Sequence, residues 1–191
     1  MALDELKNAL AGRKVLIVDD DPETMLFVVR TLQDHGMATR LVTSQREGFD
    51  LLNDEKTRSG IGLVIVDLQF IGQELPADLL TARQALGRNA TANNTGQALG
   101  YWLWRKKMVP GNSRHWPRYV YASISPSFWK EAEVHTEQEL KDKTGKRSTE
   151  EIRATFVLGK LVRDGEEFCE ALETAWTAWS PLETATETAK P

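Results

Sequence analysis

Acidic side chains follow two apolar runs of the sequence, at the point where each run ends. The run "KVLIV" leads directly into Asp19, Asp20 and Asp21, and the run "IGLVIV" leads into Asp67. Neighbouring carboxylates repel one another, because like charges at short range disfavour ionisation. A divalent cation with oxygen ligands removes this repulsion, and Mg²⁺ is typically held by one or two carboxylates together with water and a phosphate. The acids therefore predict a Mg²⁺ site.

A hydroxyl and an amine end two further apolar runs. Ser123 closes "RYVYAS", and Lys160 closes "FVLGK". In a parallel α/β sheet, ligands bind beyond the carboxyl ends of the strands. If the four runs are strands of one such sheet, Ser123 and Lys160 converge with the acids on one edge. A slip of one residue in the fourth strand would put Ala122 in place of Ser123, and this alternative stays open.

The order of the apolar patterns predicts the sheet that must position these residues. Short β-branched runs alternate with stretches that carry an apolar stripe at helical spacing, which is typical of a parallel sheet with right-handed crossovers. Pro22 suits the first turn of a helix, and Gly36 suits its end. The predicted strands are Val15–Asp20, Met37–Ser44, Ile61–Leu68, Arg118–Ser125 and Ala154–Lys160, and the predicted helices are Leu3–Gly12, Pro22–Gly36, Gln45–Asn53, Pro76–Arg88, Gly96–Met108 and Asp164–Trp179.

Composition narrows the class of protein. The 191 residues suit one domain with additions, and a formal net charge of −4 gives no reason to expect nucleic acid or a membrane as a direct partner. Cys169 is the single cysteine, which excludes a disulfide framework and a cysteine-based zinc site. The sequence shows neither a leader pattern nor an apolar run of transmembrane length. We therefore expect a cytoplasmic protein.

The four motifs "VLIVDDD", "LVIVDL", "VYASIS" and "FVLGK" together resemble the receiver domain of two-component response regulators. The resemblance implies a doubly wound, five-stranded parallel sheet of the flavodoxin-like type, in a phosphoprotein of a signal-transduction phosphorelay. It implies that Asp67 accepts a phosphoryl group from a sensor histidine kinase or a phosphotransfer protein. It further implies that Asp19, Asp20 and Asp67 hold Mg²⁺, that Ser123 is the switch hydroxyl and that Lys160 contacts the phosphoryl group.

The chain departs from the family in three places. About twenty residues are inserted after Asp67, roughly at 69–95, and a second insertion lies at about 130–150 within a charged stretch that we expect to be solvated. Leu161 follows Lys160 where the family normally has proline. We predict an N-terminal helical extension (1–12), a receiver-like domain (13–179) and a flexible tail (180–191). With no output domain expected after the receiver, signalling would pass through a separate, unknown output protein.

Three functional hypotheses are consistent with this pattern. The first is a stand-alone, atypical receiver without enzymatic activity beyond its own phosphorylation and dephosphorylation. The second is a pseudo-receiver that binds proteins without phosphotransfer. The third is a phosphatase of the haloacid-dehalogenase type, which is disfavoured because Glu23 stands where that family has Thr or Val. Homodimerisation is left open.

The first insertion contains "LLTARQAL". This segment either docks as a helix beside the acidic edge, the edge of the sheet that carries Asp19, Asp20 and Asp67, or lies on the surface in a mobile loop.

Overall fold

Five parallel strands form the centre of the protein, whose computed structural model describes residues 3–86, 96–124, 149–160 and 165–188. The strands are β1 (Lys14–Val18), β2 (Ala38–Val42), β3 (Ile61–Asp67), β4 (Arg118–Ser123) and β5 (Val157–Gly159). The strand order is β2-β1-β3-β4-β5, which is the flavodoxin-like order of a doubly wound sheet. The predicted fold class is therefore confirmed.

Helices cover both faces of this sheet. Side chains alternate along each strand, so Leu16 and Val64 face one core cluster, whereas Ile17 and Ile65 face a second core cluster on the other side of the sheet. The helices are α1 (Leu3–Ala9), α2 (Pro22–Asp34), α3 (Gln45–Asn53), α4 (Glu55–Ser59), α5 (Ala77–Ala85), α6 (Gly96–Lys107), α7 (Thr149–Phe156) and α8 (Gly165–Thr188), with a 3₁₀ turn at Ser113–His115 before β4.

Helix α2 begins and ends as its sequence predicts. Pro22 occupies the first turn, and the carboxylate of Asp21 accepts a hydrogen bond from the backbone N–H of Thr24, 3.4 Å away. Gly36 follows the helix with φ at +76°, a left-handed conformation that glycine adopts without strain. The third acid of the "DDD" run thus has a local role as a helix cap.

Helix α6 is buried along most of its length, and it starts against the end of β3. A Cβ atom at Gly96 would overlap the carbonyl oxygen of Asp67, so only glycine permits this approach. Further along the helix, Trp102 packs against Phe49, while Trp104 packs against Trp179. The tight start of α6 fixes the end of β3, where the candidate acceptor lies.

The described part of the first insertion packs onto the domain. Helix α5 covers Ala77–Ala85, within the predicted Pro76–Arg88, and Leu79, Ala82 and Leu86 are buried against α6. This favours the docked helix over the mobile surface loop as far as Leu86. The remainder of the insertion, 87–95, lies outside the described residues, as does the second predicted insertion at 130–150 apart from the start of α7.

Strand β5 is shorter than predicted. The sequence pattern starts this strand at Ala154, but helix α7 continues through Phe156 and the strand begins at Val157. The hydroxyl of Thr155 donates a hydrogen bond to the carbonyl oxygen of Glu151, which satisfies this β-branched residue within the helix. Strand β5 pairs with only the last three residues of β4, so the extra residues have no strand partner.

The C-terminal helix is longer than predicted. The Thr- and Glu-rich sequence after Trp179 predicts a flexible tail, yet α8 continues to Thr188. Leu182 is fully buried, and Glu183 forms ion pairs with Lys107 and Arg118. The local composition of the tail does not predict these contacts, because Lys107 and Arg118 are distant in the sequence. In the described ranges, none of the helices has the length and apolar character that would let it cross a membrane.

Candidate functional site

The five residues singled out by the sequence lie at the carboxyl edge of the sheet. Asp19 and Asp20 directly follow β1, Asp67 and Ser123 are the last residues of β3 and β4, and Lys160 directly follows β5. All are buried except Asp20, which is partly exposed. Parallel strands necessarily bring these positions to one edge, which is why motif position alone located them.

Lys160 connects two of the acids. Its ammonium nitrogen lies 2.8 Å from Oδ1 of Asp67 and 2.6 Å from Oδ2 of Asp19. Its backbone N–H donates a 2.9 Å hydrogen bond to the carbonyl oxygen of Ser123, so the pairing of β4 with β5 sets the position of this lysine. One positive charge is therefore held between two buried negative charges.

The acids also form a candidate metal site. Asp19, Asp20 and Asp67 each offer a carboxylate oxygen, and these oxygens lie within 4.8 Å of one another. Two oxygens on opposite sides of one Mg²⁺ are about 4.2 Å apart, since each Mg–O bond is about 2.1 Å. An all-carboxylate donor set suits a hard cation. The residues therefore fit the Mg²⁺ that the sequence predicts.

The electrostatics of the edge indicate a shortage of positive charge. Burial raises the pKa of Asp67 to about 6; the charge of Asp19 acts in the same direction, and Lys160 opposes both. Burial also raises the pKa of Asp19. Although burial of Lys160 favours loss of its proton, the neighbouring carboxylates hold the pKa of this amine above its ordinary value. A second cation beside Lys160 would stabilise the ionised acids.

Ser123 is placed by the register of β4. Ala122 lies opposite Asp67 in the β3–β4 pair, and Ser123 is one position further toward the edge. Ser123 is buried and pairs with Gly159 of β5, the residue before Lys160. The hydroxyl-bearing residue thus lies at the level of the site, while Ala122 contributes to the core below it.

The loop after Asp67 contacts the acidic edge through residues that sequence reasoning missed. The backbone N–H of Ile71 donates to Oδ2 of Asp20 at 3.1 Å. The amide side chain of Gln73 accepts from the backbone N–H of Gln45 at 3.0 Å and donates to the carbonyl oxygen of Thr43 at 3.1 Å. The start of the insertion is thereby tied to the loop after β2. A glutamine in a loop carries no sequence signal for such a bridge.

Comparisons with known proteins add little to this geometry. No family model matches the chain, and no curated protein matches it. A solved structure titled as a bacteriophytochrome response regulator has 18% identity and a TM-score of 0.47, over 86% of this chain and 92% of that chain. The five-stranded parallel sheet fits a receiver domain.

We expect Asp20→Asn to keep or raise the melting temperature in the absence of Mg²⁺, and to weaken Mg²⁺ binding. Removing one of three crowded charges relieves repulsion, and the asparagine side-chain oxygen can still accept the hydrogen bond from Ile71. Thermal unfolding with EDTA and over a Mg²⁺ titration measures both effects. Glu23→Gln, an exposed acid on α2, is the matched control. A clear loss of stability without metal would mean that Asp20 is a structural hydrogen-bonding residue.

Proposed function

We propose that this protein is an atypical response regulator receiver that accepts a phosphoryl group on Asp67 in a Mg²⁺-dependent reaction. The observation that carries the proposal is the position of Lys160, whose ammonium group lies within 2.8 Å of Asp67 at an edge that also collects Asp19 and Asp20. A sensor histidine kinase or a phosphotransfer protein would be the donor. The signal would pass to an output partner.

The chemistry suits these residue types. An oxygen of the Asp67 carboxylate attacks the phosphorus of the donor, and the bond to the leaving group breaks as that group departs with the electron pair. Lys160 neutralises charge on the phosphoryl oxygens, and Ser123 donates a hydrogen bond to one of them. Asp19, Asp20 and Asp67 would hold Mg²⁺, which would supply further charge neutralisation. Because the pKa of Asp67 is about 6, the reactive carboxylate predominates above that pH.

Intact-mass spectrometry after incubation with acetyl phosphate tests the proposal. We expect one phosphoryl adduct in the presence of Mg²⁺, none in EDTA and none in Asp67→Asn, because that variant lacks the nucleophilic oxygen. Asp50→Asn, an exposed acid on α3, is the control and should still form the adduct. An adduct that persists in Asp67→Asn would overturn the assignment of the acceptor.

The loop after Asp67 favours a second candidate function, a pseudo-receiver that binds partners without phosphotransfer. The Ile71 N–H donates to Oδ2 of Asp20, a carboxylate of the candidate metal site, and the Gln73 bridge ties this loop to the loop after β2. If these contacts persist, Asp20 stays engaged by the loop and the site binds partners without reacting. Absence of any adduct from both acetyl phosphate and a phosphorylated donor protein, with Mg²⁺ present, would favour this second function.

A further inference from the structure

A cavity of about 150 Å³ opens at the edge of the sheet opposite the acids. It lies where β1, β3 and β4 begin, between helix α4 and the 3₁₀ turn before β4. Ile61 lines the cavity and Asp67 lies six residues further along β3. At a rise of about 3.3 Å per residue, the cavity is roughly 20 Å from the candidate phosphorylation site. The side chains that give the cavity its character are Arg13, Glu55, Arg58, Arg114, His115 and Trp116.

The lining of this cavity carries the opposite charge to the rest of the protein. Three arginines and one glutamate give a formal charge of 3 − 1 = +2 with the histidine neutral, in a chain whose net charge is −4. Within the described ranges, neither Arg13 nor Arg58 forms an ion pair, even though Glu55 lines the same cavity. Positive charge is thus concentrated in the lining of this cavity.

Two contacts fix the position of the Arg58 guanidinium group in the cavity. This group stacks on the ring of Trp116, 4.1 Å from the ring centre, and donates a 2.9 Å hydrogen bond to the carbonyl oxygen of Leu52. Trp116 in turn packs edge-on against the buried Trp102. An arginine has five N–H donors, so donors remain after these contacts. Fixing the planar group beforehand lowers the entropy cost of binding.

Arg13 provides a second cation on a different element. It precedes β1 and donates one hydrogen bond to the carbonyl oxygen of Ala9, which again leaves donors unused. Arginine groups bind phosphate and carboxylate through paired N–H···O bonds. A cavity of 150 Å³ has room for a phosphate group and a few further atoms, but is small beside the pockets that enclose whole drug-sized ligands.

We infer that this cavity is a binding site for a small anion that bears a phosphate group, and that this site is separate from the acidic edge with Asp67. Isothermal titration calorimetry of the full chain in EDTA, with inorganic phosphate and with AMP as probes, tests the inference. EDTA prevents Mg²⁺ from recruiting phosphate to Asp67. We expect saturable binding of one ligand per chain, with tighter binding of AMP if the natural ligand is an ester and equal binding if it is the free anion.

Substitutions at each side of the cavity identify the site. We expect Arg58→Gln and Arg13→Gln each to weaken binding about tenfold or more, the loss typical of a charge-assisted hydrogen-bonded contact. Arg40→Gln, an exposed arginine on β2, should bind as the wild type does, and so should Asp67→Asn. Thermal unfolding checks that each variant is folded, and exposed Arg13 serves as the second test should Arg58→Gln unfold.

Four outcomes would overturn the inference. The first is the absence of saturable binding to both probes. The second is an equal loss of affinity in Arg40→Gln, which would indicate non-specific attraction. The third is tighter binding in Asp67→Asn, which would move the anion to the acidic edge, because removal of that carboxylate charge favours an anion beside Lys160. The fourth is arginine-dependent binding of a single-stranded oligonucleotide that is more than tenfold tighter than binding of AMP, which would replace the small ligand by a nucleic acid.

Discussion

Lys160→Met is expected to lower the free energy of unfolding by about 3–5 kcal/mol at neutral pH without metal, the range seen when one partner of a buried ion pair is removed. Methionine has a similar length but no charge, so the buried Asp19 and Asp67 carboxylates lose the ammonium group that lies within 2.8 Å of each. Urea unfolding in EDTA measures the loss. Lys56→Met, at an exposed position on α4, is the control and should change stability little.

The sign of the pH dependence follows from the same carboxylates. Without Lys160, their pKa values in the folded state lie still further above the unfolded value of 3.8, so the folded variant binds protons more tightly than the unfolded chain. The difference in the free energy of unfolding between the wild type and the variant should therefore grow as pH rises above about 4 and shrink as pH falls toward 4. Mg²⁺ should restore part of the stability. A variant as stable as the wild type at neutral pH in EDTA would contradict the electrostatic role assigned to Lys160.

Glu183→Gln is expected to cost about 3–5 kcal/mol, because it leaves two cations without their carboxylate partner in a largely buried site. Glu183 lies 2.8 Å from the ammonium nitrogen of Lys107, which is almost fully buried, and 2.7 Å from the guanidinium of Arg118. Burial lowers the pKa of Lys107, and the charge of Glu183 opposes this effect. Glutamine keeps the shape of the side chain but removes the charge, so the variant separates packing from electrostatics.

Chemical unfolding of Glu183→Gln beside Glu47→Gln provides the comparison. Glu47 pairs with Arg40 at 3.3 Å, but both side chains are more than two-fifths exposed, so its loss should cost no more than about 1 kcal/mol. The cations hold the pKa of Glu183 below its ordinary 4.5, although burial alone would raise it. Its stabilisation is therefore present above pH 4.5 and is lost as pH falls through the lower folded value. Equal effects of the two variants would show that the Glu183 pairs add nothing beyond a surface ion pair.

Features set by local pattern were predictable from the sequence. Helix α3 has the predicted bounds of Gln45–Asn53, and α2 starts at Pro22 and ends before Gly36 as expected. Short β-branched runs identified all five strands, and the rule that ligands bind at the carboxyl ends of parallel strands brought Asp67 and Lys160 together. Each of these inferences needs only neighbouring residues and one general rule of topology.

Features that depend on distant partners were not predictable. Ser180 to Thr188 look like a solvated tail by composition, yet Leu182 packs in the core and Glu183 meets cations from α6 and β4. The Gln73 bridge joins loops that are about thirty residues apart in the chain. A single sequence contains the residues of such contacts but not their proximity.

The contact between Gly96 and the Asp67 carbonyl has a consequence for the history of the fold. The chain leaves the sheet at Asp67, and Gly96 lies against the carbonyl oxygen of that residue, so the two ends of the intervening segment are in contact. Closing a flexible segment costs only slightly more as it lengthens, so this junction can accept or lose residues without displacing the acids. The intervening segment packs on the domain through Leu79, Ala82 and Leu86, which cover the apolar side of α6. A shorter relative would need a different, more polar α6, so the two segments should change together in evolution.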